Sequence, residues 1–198
     1  MQIAEPASSQ EQQYRAAAYG IIAALLRDVP EEQTLQQVSA FEQVAIDEDE
    51  MLLAMSSLGL ATQAVSRDAI RAEYHDLFIG IGRGELVPYG SWYLTGYLME
   101  QPLSALRDDL AELGIERETD VSEPEDHIAS LCEVMSILIN DSTKLSIQKQ
   151  FFDKHLGSWC EKFFSDLETA ESASFYRSVG RFGSAFISIE KHYLNMPT

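Results

Sequence analysis

The stretch "EPEDHIASLCEVMSILI", residues 123–139, begins as three carboxylates around one histidine and continues as an apolar run. Ile128, Leu131, Cys132, Met135, Leu138 and Ile139 recur at the i, i+3, i+4 spacing of a buried helical face. Pro124 suits the first turn of such a helix, where its missing N–H loses nothing. Glu125 and Asp126 would follow in that turn, where negative charge meets the positive end of the helix dipole. The sequence therefore predicts a helix opening at Pro124. At about 100° per residue, Asp126 points away from the apolar stripe and His127 lies on its flank, which puts a polar pair at the rim of the core.

The same periodicity runs through the rest of the chain, and no convincing alternating strand interrupts it. Ser8 or Ser9 can cap a first helix with Tyr14, Ala17, Ala18, Ile21, Ile22 and Leu25 on one face, ended by Asp28 to Pro30. A second helix starts at Pro30 with Leu35, Val38 and Phe41, and a third follows the acid run Asp47 to Glu50 and reaches about Leu58. Ser66 introduces "RDAIRAEYHDLFIG", whose Ile70, Tyr74, Leu77 and Phe78 share a face that Gly80 stops. Beyond the glycine-rich loop "GIGRGELVPYGS" lies the short aromatic "SWYLTGYL", then a helix opened by Pro102 and closed by Gly114, then an acidic connection over 115–122. Three more apolar series fill the C-terminal third: Ile147, Phe151, Phe152; Trp159, Phe163, Phe164, Leu167; and Phe175, Val179, Phe182, Phe186, Ile189. The expectation is one all-α, bundle-like domain over residues 1–198, with eight to ten helices and no internal repeat.

Composition narrows the function. The formal net charge is −18, from 32 acids against 14 bases. Such a surface repels phosphate backbones and attracts basic partners, so nucleic-acid binding is excluded first. The N-terminus lacks the basic and apolar regions of an export signal, and no run approaches the roughly 18 apolar residues that span a bilayer. A cytoplasmic protein without an integral membrane segment is expected. Cys132 and Cys160 have neither metal-ligand spacing nor the density of a disulfide scaffold, and they read as small buried hydrophobes.

The chemistry-bearing signals are few. Gly80, Gly82 and Gly84 are a weak phosphate motif, because no strand precedes them, Glu85 stands at the third glycine position, and no lysine precedes a Ser or Thr. A hinge is the better reading, and it would let the C-terminal half exchange between chains as a domain-swapped homodimer. His75, His127, His155 and His192 are scattered without HxxxH or HExxH spacing, so His75, His127 and nearby acids could hold a metal only if the fold joined them. Asp126 and His127 diverge as helix neighbours and no activated nucleophile accompanies them, which leaves a metal- or nucleotide-dependent enzyme using His127, Asp126 and His75 as the alternative. Tyr74, Phe78, Tyr89, Trp92 and Tyr93 are either core or the wall of a groove. Residues 112–126 hold seven acids against Arg117 alone, a local net of −6 leading into Glu123.

Three segments, "EYHDLFIG", "VPYGSWYL" and "EPEDHIASLCEVM", in this order and at this spacing, resemble the TorD/DmsD family of redox-enzyme maturation chaperones. The likeness covers at least residues 70–140, and the helical layout with "FFDKHLGSWCEKFFSDL" extends it to nearly the whole chain. It implies an all-helical protein without a cofactor of its own. Such a protein binds the twin-arginine signal peptide of a molybdenum-cofactor reductase of DMSO or TMAO reductase type, holds the apoenzyme until the cofactor is inserted, and then allows Tat export. The carboxylates for such a leader would be Glu123, Glu125 and Asp126, and the groove Tyr74, Leu77, Phe78, Pro88, Tyr89 and Trp92. The resemblance further implicates Tyr74, Leu77, Phe78, Pro88, Tyr89, Asp126 and His127 in leader binding. Where some relatives carry an arginine after the Pro-x-Gly-Ser segment and an aromatic in the preceding loop, this chain has Gly96 and Gly82. GTP binding and contact with the molybdenum cofactor have been proposed within the family, and no nucleotide motif is present here.

Overall fold

The structure, a computed structural model, describes residues 9–43, 49–81, 83–116 and 123–196. Within them lie ten α-helices: α1 (Ser9–Leu26), α2 (Glu32–Ser39), α3 (Glu50–Ala64), α4 (Arg67–Tyr74), α5 (Gly90–Thr95), α6 (Gln101–Glu112), α7 (Ile128–Asn140), α8 (Leu145–His155), α9 (Cys160–Thr169) and α10 (Phe175–Leu194). A 3-10 turn follows α2 at Ala40–Gln43, and α4 runs directly into a π-helical turn at His75–Ile79. The all-α expectation holds. Ser8, Asp47, Gly82 and residues 117–122, which entered the sequence reading as a cap, an acid run, a loop glycine and most of an acidic connection, lie outside the described residues.

Local chemistry explains most helix ends. The Asp49 carboxylate accepts from the N–H groups of Met51 and Leu52, and Ser66 Oγ accepts from Ala69, so α3 and α4 begin on side-chain caps. Gly114, at φ +70°, closes α6 while the Ile115 N–H bonds back to the Leu110 carbonyl. A cap from far along the chain starts α10: the buried Glu73 carboxylate on α4 accepts from Ser174, Phe175 and Tyr176 at 2.8, 3.0 and 2.6 Å.

The core forms between α1 and α7 on one side and among α10, α9 and α3 on the other. Tyr19, Ile22, Leu25 and Leu26 of α1 are fully buried with Ile128, Leu131, Cys132 and Met135 of α7. Helices α9 and α10 approach closely because α10 carries glycine where they cross: a Cβ on Gly183 would lie 2.2 Å from the Phe164 ring. Both cysteines are buried free thiols, and burial raises both thiol pKa values, Cys160 to about 12.

Two expectations are corrected. On α1 the expected Ala18, Ile22 and Leu25 are buried, joined by Ala16, Tyr19, Ala23 and Leu26, while Tyr14 is 66% exposed and Ala17 is exposed. The second correction is α7, which opens at Ile128 and not at Pro124, with His127 as its N-cap.

Candidate functional site

Two segments distant in sequence are laced together by backbone bonds. Gly90 N–H donates to the Asp126 carbonyl and Ile128 N–H donates to the Pro88 carbonyl, both at 2.9 Å, forming an antiparallel bridge between Tyr89 and His127. Pro124, Glu125 and Asp126 stay outside the helix because this bridge claims their end of the chain. The Asp126 carboxylate then caps α5 instead of its own helix, accepting from Ser91 N–H at 2.7 Å. The start of α7 is capped by the His127 ring, whose Nδ1 accepts from Ala129 N–H at 3.1 Å. Asp126 and His127 are 3% and 6% exposed, so neither stands at the rim where the sequence placed it. Burial pushes the His127 pKa down to about 3, with the nearby Arg27 charge adding to the effect, and the ring is neutral at physiological pH.

Just before the bridge, Glu123 is exposed and Glu125 is partly buried beside α7. Together with Glu116, four residues past α6, and Glu133 on α7 they rim a trough of about 420 Å³. Its apolar lining comes from Leu110, Ile115, Val134 and Ile137, and Arg27 at the end of α1 and Ser130 complete it. The Tyr89 hydroxyl donates to the Glu123 carboxylate, which fixes that acid from behind. Burial, then the bond to Glu123, raises the tyrosine pKa, so the hydroxyl keeps its proton. Arg27 donates from Nε to Glu133 Oε1 at 2.7 Å, and Arg107 donates from Nε and Nη2 to Glu125 Oε2 at 3.0 and 2.9 Å. Carboxylates above an apolar floor can receive a cationic group attached to an apolar chain.

Residues 22–165, from the middle of α1 into α9, match the family model described as nitrate reductase delta subunit, and the match includes every residue of the trough and bridge. The chain belongs to the nitrate reductase delta subunit family. It is 30% identical over 137 residues to the chaperone protein TorD of Vibrio cholerae serotype O1, covering 64% of this chain and 62% of that protein. With the chaperone protein TorD of Vibrio atlanticus the identity is 28% over 147 residues, 68% of each chain. The fold matches the crystal structure of a proposed redox enzyme maturation protein from Archaeoglobus fulgidus at a TM-score of 0.58 and 19% identity, over 95% of this chain and 99% of that one.

Within this family member, the residues singled out in the sequence fall into three sets. Glu123 and Glu125 line the trough. Pro88, Tyr89, Asp126 and His127 build the bridge behind it, and the rings of Tyr89 and His127 meet edge to face with centroids 5.0 Å apart. Tyr74 and Leu77 are core residues: the Tyr74 hydroxyl donates to the Arg27 carbonyl at 3.1 Å, holding the end of α1 in place, and burial raises its pKa to about 12. Phe78 packs its ring on Tyr74 and Tyr176, and Trp92 is partly exposed beneath the Arg83 guanidinium. Tyr74, Leu77, Phe78, Pro88, Tyr89 and Trp92 are not among the residues that line the trough, although Tyr89 reaches its rim through Glu123.

Sequence reasoning missed Arg27, Glu133, Val134 and Ile137. A signal for three of them was present, since Ser130, Glu133, Val134 and Ile137 form a second stripe on α7 beside the buried one. The loop after Gly80 is held at both ends: Glu85 and Leu86 donate their N–H groups to the carbonyls of Asp76 and Leu77, and the Glu85 carboxylate accepts from Glu171 and Ser172. His75 is exposed and 3.8 Å from the Asp76 carboxylate, apart in character from the buried Asp126 and His127. Among the described residues no three His, Cys, Asp or Glu side chains are grouped to hold a metal, and no helix is long and apolar enough to cross a membrane.

Proposed function

We propose that this chain is a maturation chaperone that receives the twin-arginine signal peptide of a molybdenum-cofactor reductase in the acidic trough. It holds the apo client on the cytoplasmic side until its cofactor is inserted, and so delays Tat export. The observation that carries this reading is the union, in one trough, of the carboxylates Glu116, Glu123, Glu125 and Glu133 with an apolar floor of Leu110, Ile115, Val134 and Ile137. A leader of this kind presents two guanidiniums next to an apolar run, and each guanidinium gains charge-assisted, directional bonds to a carboxylate while the apolar run loses water. The relatives named as TorD chaperones support a binding role. The bridge residues Asp126 and His127 act in this reading as the frame that presents Glu123 and Glu125.

Calorimetric titration with a peptide of paired arginines followed by an apolar run tests the proposal. Micromolar or tighter binding is expected, about −8 kcal/mol, lost when both arginines and the apolar run are replaced. Indifference to those replacements overturns it. A domain-swapped homodimer formed by exchange about loop 80–90 is a further part of the reading, and light scattering on separated fractions would show it as a species of twice the monomer mass.

A further inference from the structure

Two resident arginines already hold carboxylates of the trough. Arg27 grips Glu133 with two prongs, Nε to Oε1 at 2.7 Å and Nη2 to Oε2. Arg107 places Nε and Nη2 on the same oxygen of Glu125. Glu125 lies on a wall shared by the trough and a smaller hollow of about 200 Å³ lined by Arg107, and Leu110, Ile115 and Glu116 border both spaces. These two pairs differ from the buried pair of Arg15 and Glu190. Arg15 and Glu190 are 6% and 0% exposed, a fixture of the core, whereas the Arg107 and Glu125 side chains are 54% and 14% exposed and those of Arg27 and Glu133 are 34% and 46%. Partly solvated pairs are weak and open readily.

We propose that Arg27 and Arg107 are resident stand-ins for the two arginines of the client, holding Glu133 and Glu125 until the client's guanidiniums take their places. The inference rests on the reading of the trough as the leader site and adds how that site chooses its ligand. The exchange replaces guanidinium by guanidinium, so the number and geometry of charge-assisted bonds to each carboxylate are conserved and the resident side chains swing into water. An ammonium group cannot do this at Glu133, because a lysine offers a point charge where the carboxylate is shaped to a two-pronged fork. The device therefore discriminates paired arginine from paired lysine, and it keeps the carboxylates from repelling one another before a client arrives.

The two resident arginines compete with the ligand, so removing either should tighten binding. Titration of a peptide of paired arginines and an apolar run into Arg107→Gln and Arg27→Gln is expected to give about two- to fivefold lower Kd than the parent, the value of an exposed pair. The gain from Arg107→Gln should vanish in the Glu125→Gln background, and a paired-lysine peptide should bind more weakly than paired arginine to the parent. Arg107 is more than half exposed, so its variant keeps the fold and decides the matter alone. Unchanged or weaker binding by Arg107→Gln, with Glu125→Gln still impairing the peptide, overturns the exchange and leaves the trough as the leader site. If Glu125→Gln and Glu133→Gln both bind the peptide like the parent, the reading of the trough itself falls, and the exchange with it.

Discussion

Two hollows among the described residues differ in chemistry more than in size. The trough at the C-terminal end of α1 holds about 420 Å³ and is rimmed by four glutamates. On the other flank of α1, a groove of about 550 Å³ runs against α3 and α10, walled by Tyr14, Ile21, Met55, Phe182, Phe186 and other apolar side chains. Its charged members are Glu11, Arg15 and Glu190, and the last two are locked to each other beneath the surface, with Arg15 also donating to Gln148. A larger, drier hollow would win on apolar burial alone. For a ligand carrying two guanidiniums the smaller one wins, because it offers carboxylates that are in partial contact with water and can change partners.

The largest effect expected from disturbing this contrast is on the groove side and on stability. Glu190→Gln leaves the Arg15 guanidinium buried with its main counter-charge gone, and should cost about 3–5 kcal/mol in denaturant unfolding. Below its unfolding transition the variant should still bind a twin-arginine peptide with parental affinity. On the trough side the pattern should reverse. Glu133→Gln removes a charge-assisted partner and should weaken peptide binding by about 1.5–3 kcal/mol in calorimetry, while the unfolding free energy changes by no more than an exposed pair is worth, about 1 kcal/mol.

A third prediction concerns the frame behind the trough. His127 has a folded pKa of about 3 against an ordinary value of 6.5, so the folded state binds its proton less readily than the unfolded one. The stability this contributes is complete above pH 6.5 and is lost as pH falls from there toward 3. Thermal melts should show the parent losing stability over that window more steeply than His127→Asn, which can keep the cap without titrating. At neutral pH, His127→Ala should cost about 1 kcal/mol through the lost cap. The smallest effect belongs to the groove: Tyr14→Ser, at a side chain 66% exposed, should change stability by less than about 0.5 kcal/mol and leave peptide affinity unmoved.

Most helices could be read from local periodicity and punctuation, since Ser66, Pro102, Gly80 and Gly114 act within a turn or two of where they sit. What escaped the sequence was set by partners far along the chain. Pro124 to Asp126 carry every local mark of a first helical turn, yet the bridge to residues 88–90 takes their backbone and leaves His127 to cap α7. Asp126 does cap a helix, but it is α5, 35 residues earlier. Of the expected α1 face, Ala18, Ile22 and Leu25 do enter the core, but Tyr14, Ala17 and Ile21 line the groove instead, and Tyr19 and Leu26 take the remaining core places. Half of the site followed the same rule. Glu123 and Glu125 were legible from the acid run, whereas Glu133 gained its role by meeting Arg27 across 106 residues, and Leu110 and Ile115 by lining one trough with Val134 and Ile137 of α7.

The central claim is that the acidic trough, and not the larger apolar groove, receives a twin-arginine peptide. Amide and methyl chemical shifts of isotope-labelled protein, followed as the peptide is added, test it residue by residue. The account predicts that the changes gather at Leu110, Ile115, Ser130, Val134 and Ile137, with Leu52 and Ile189 undisturbed. Changes gathered at Leu52, Met55 and Ile189 with the trough signals unmoved would contradict it.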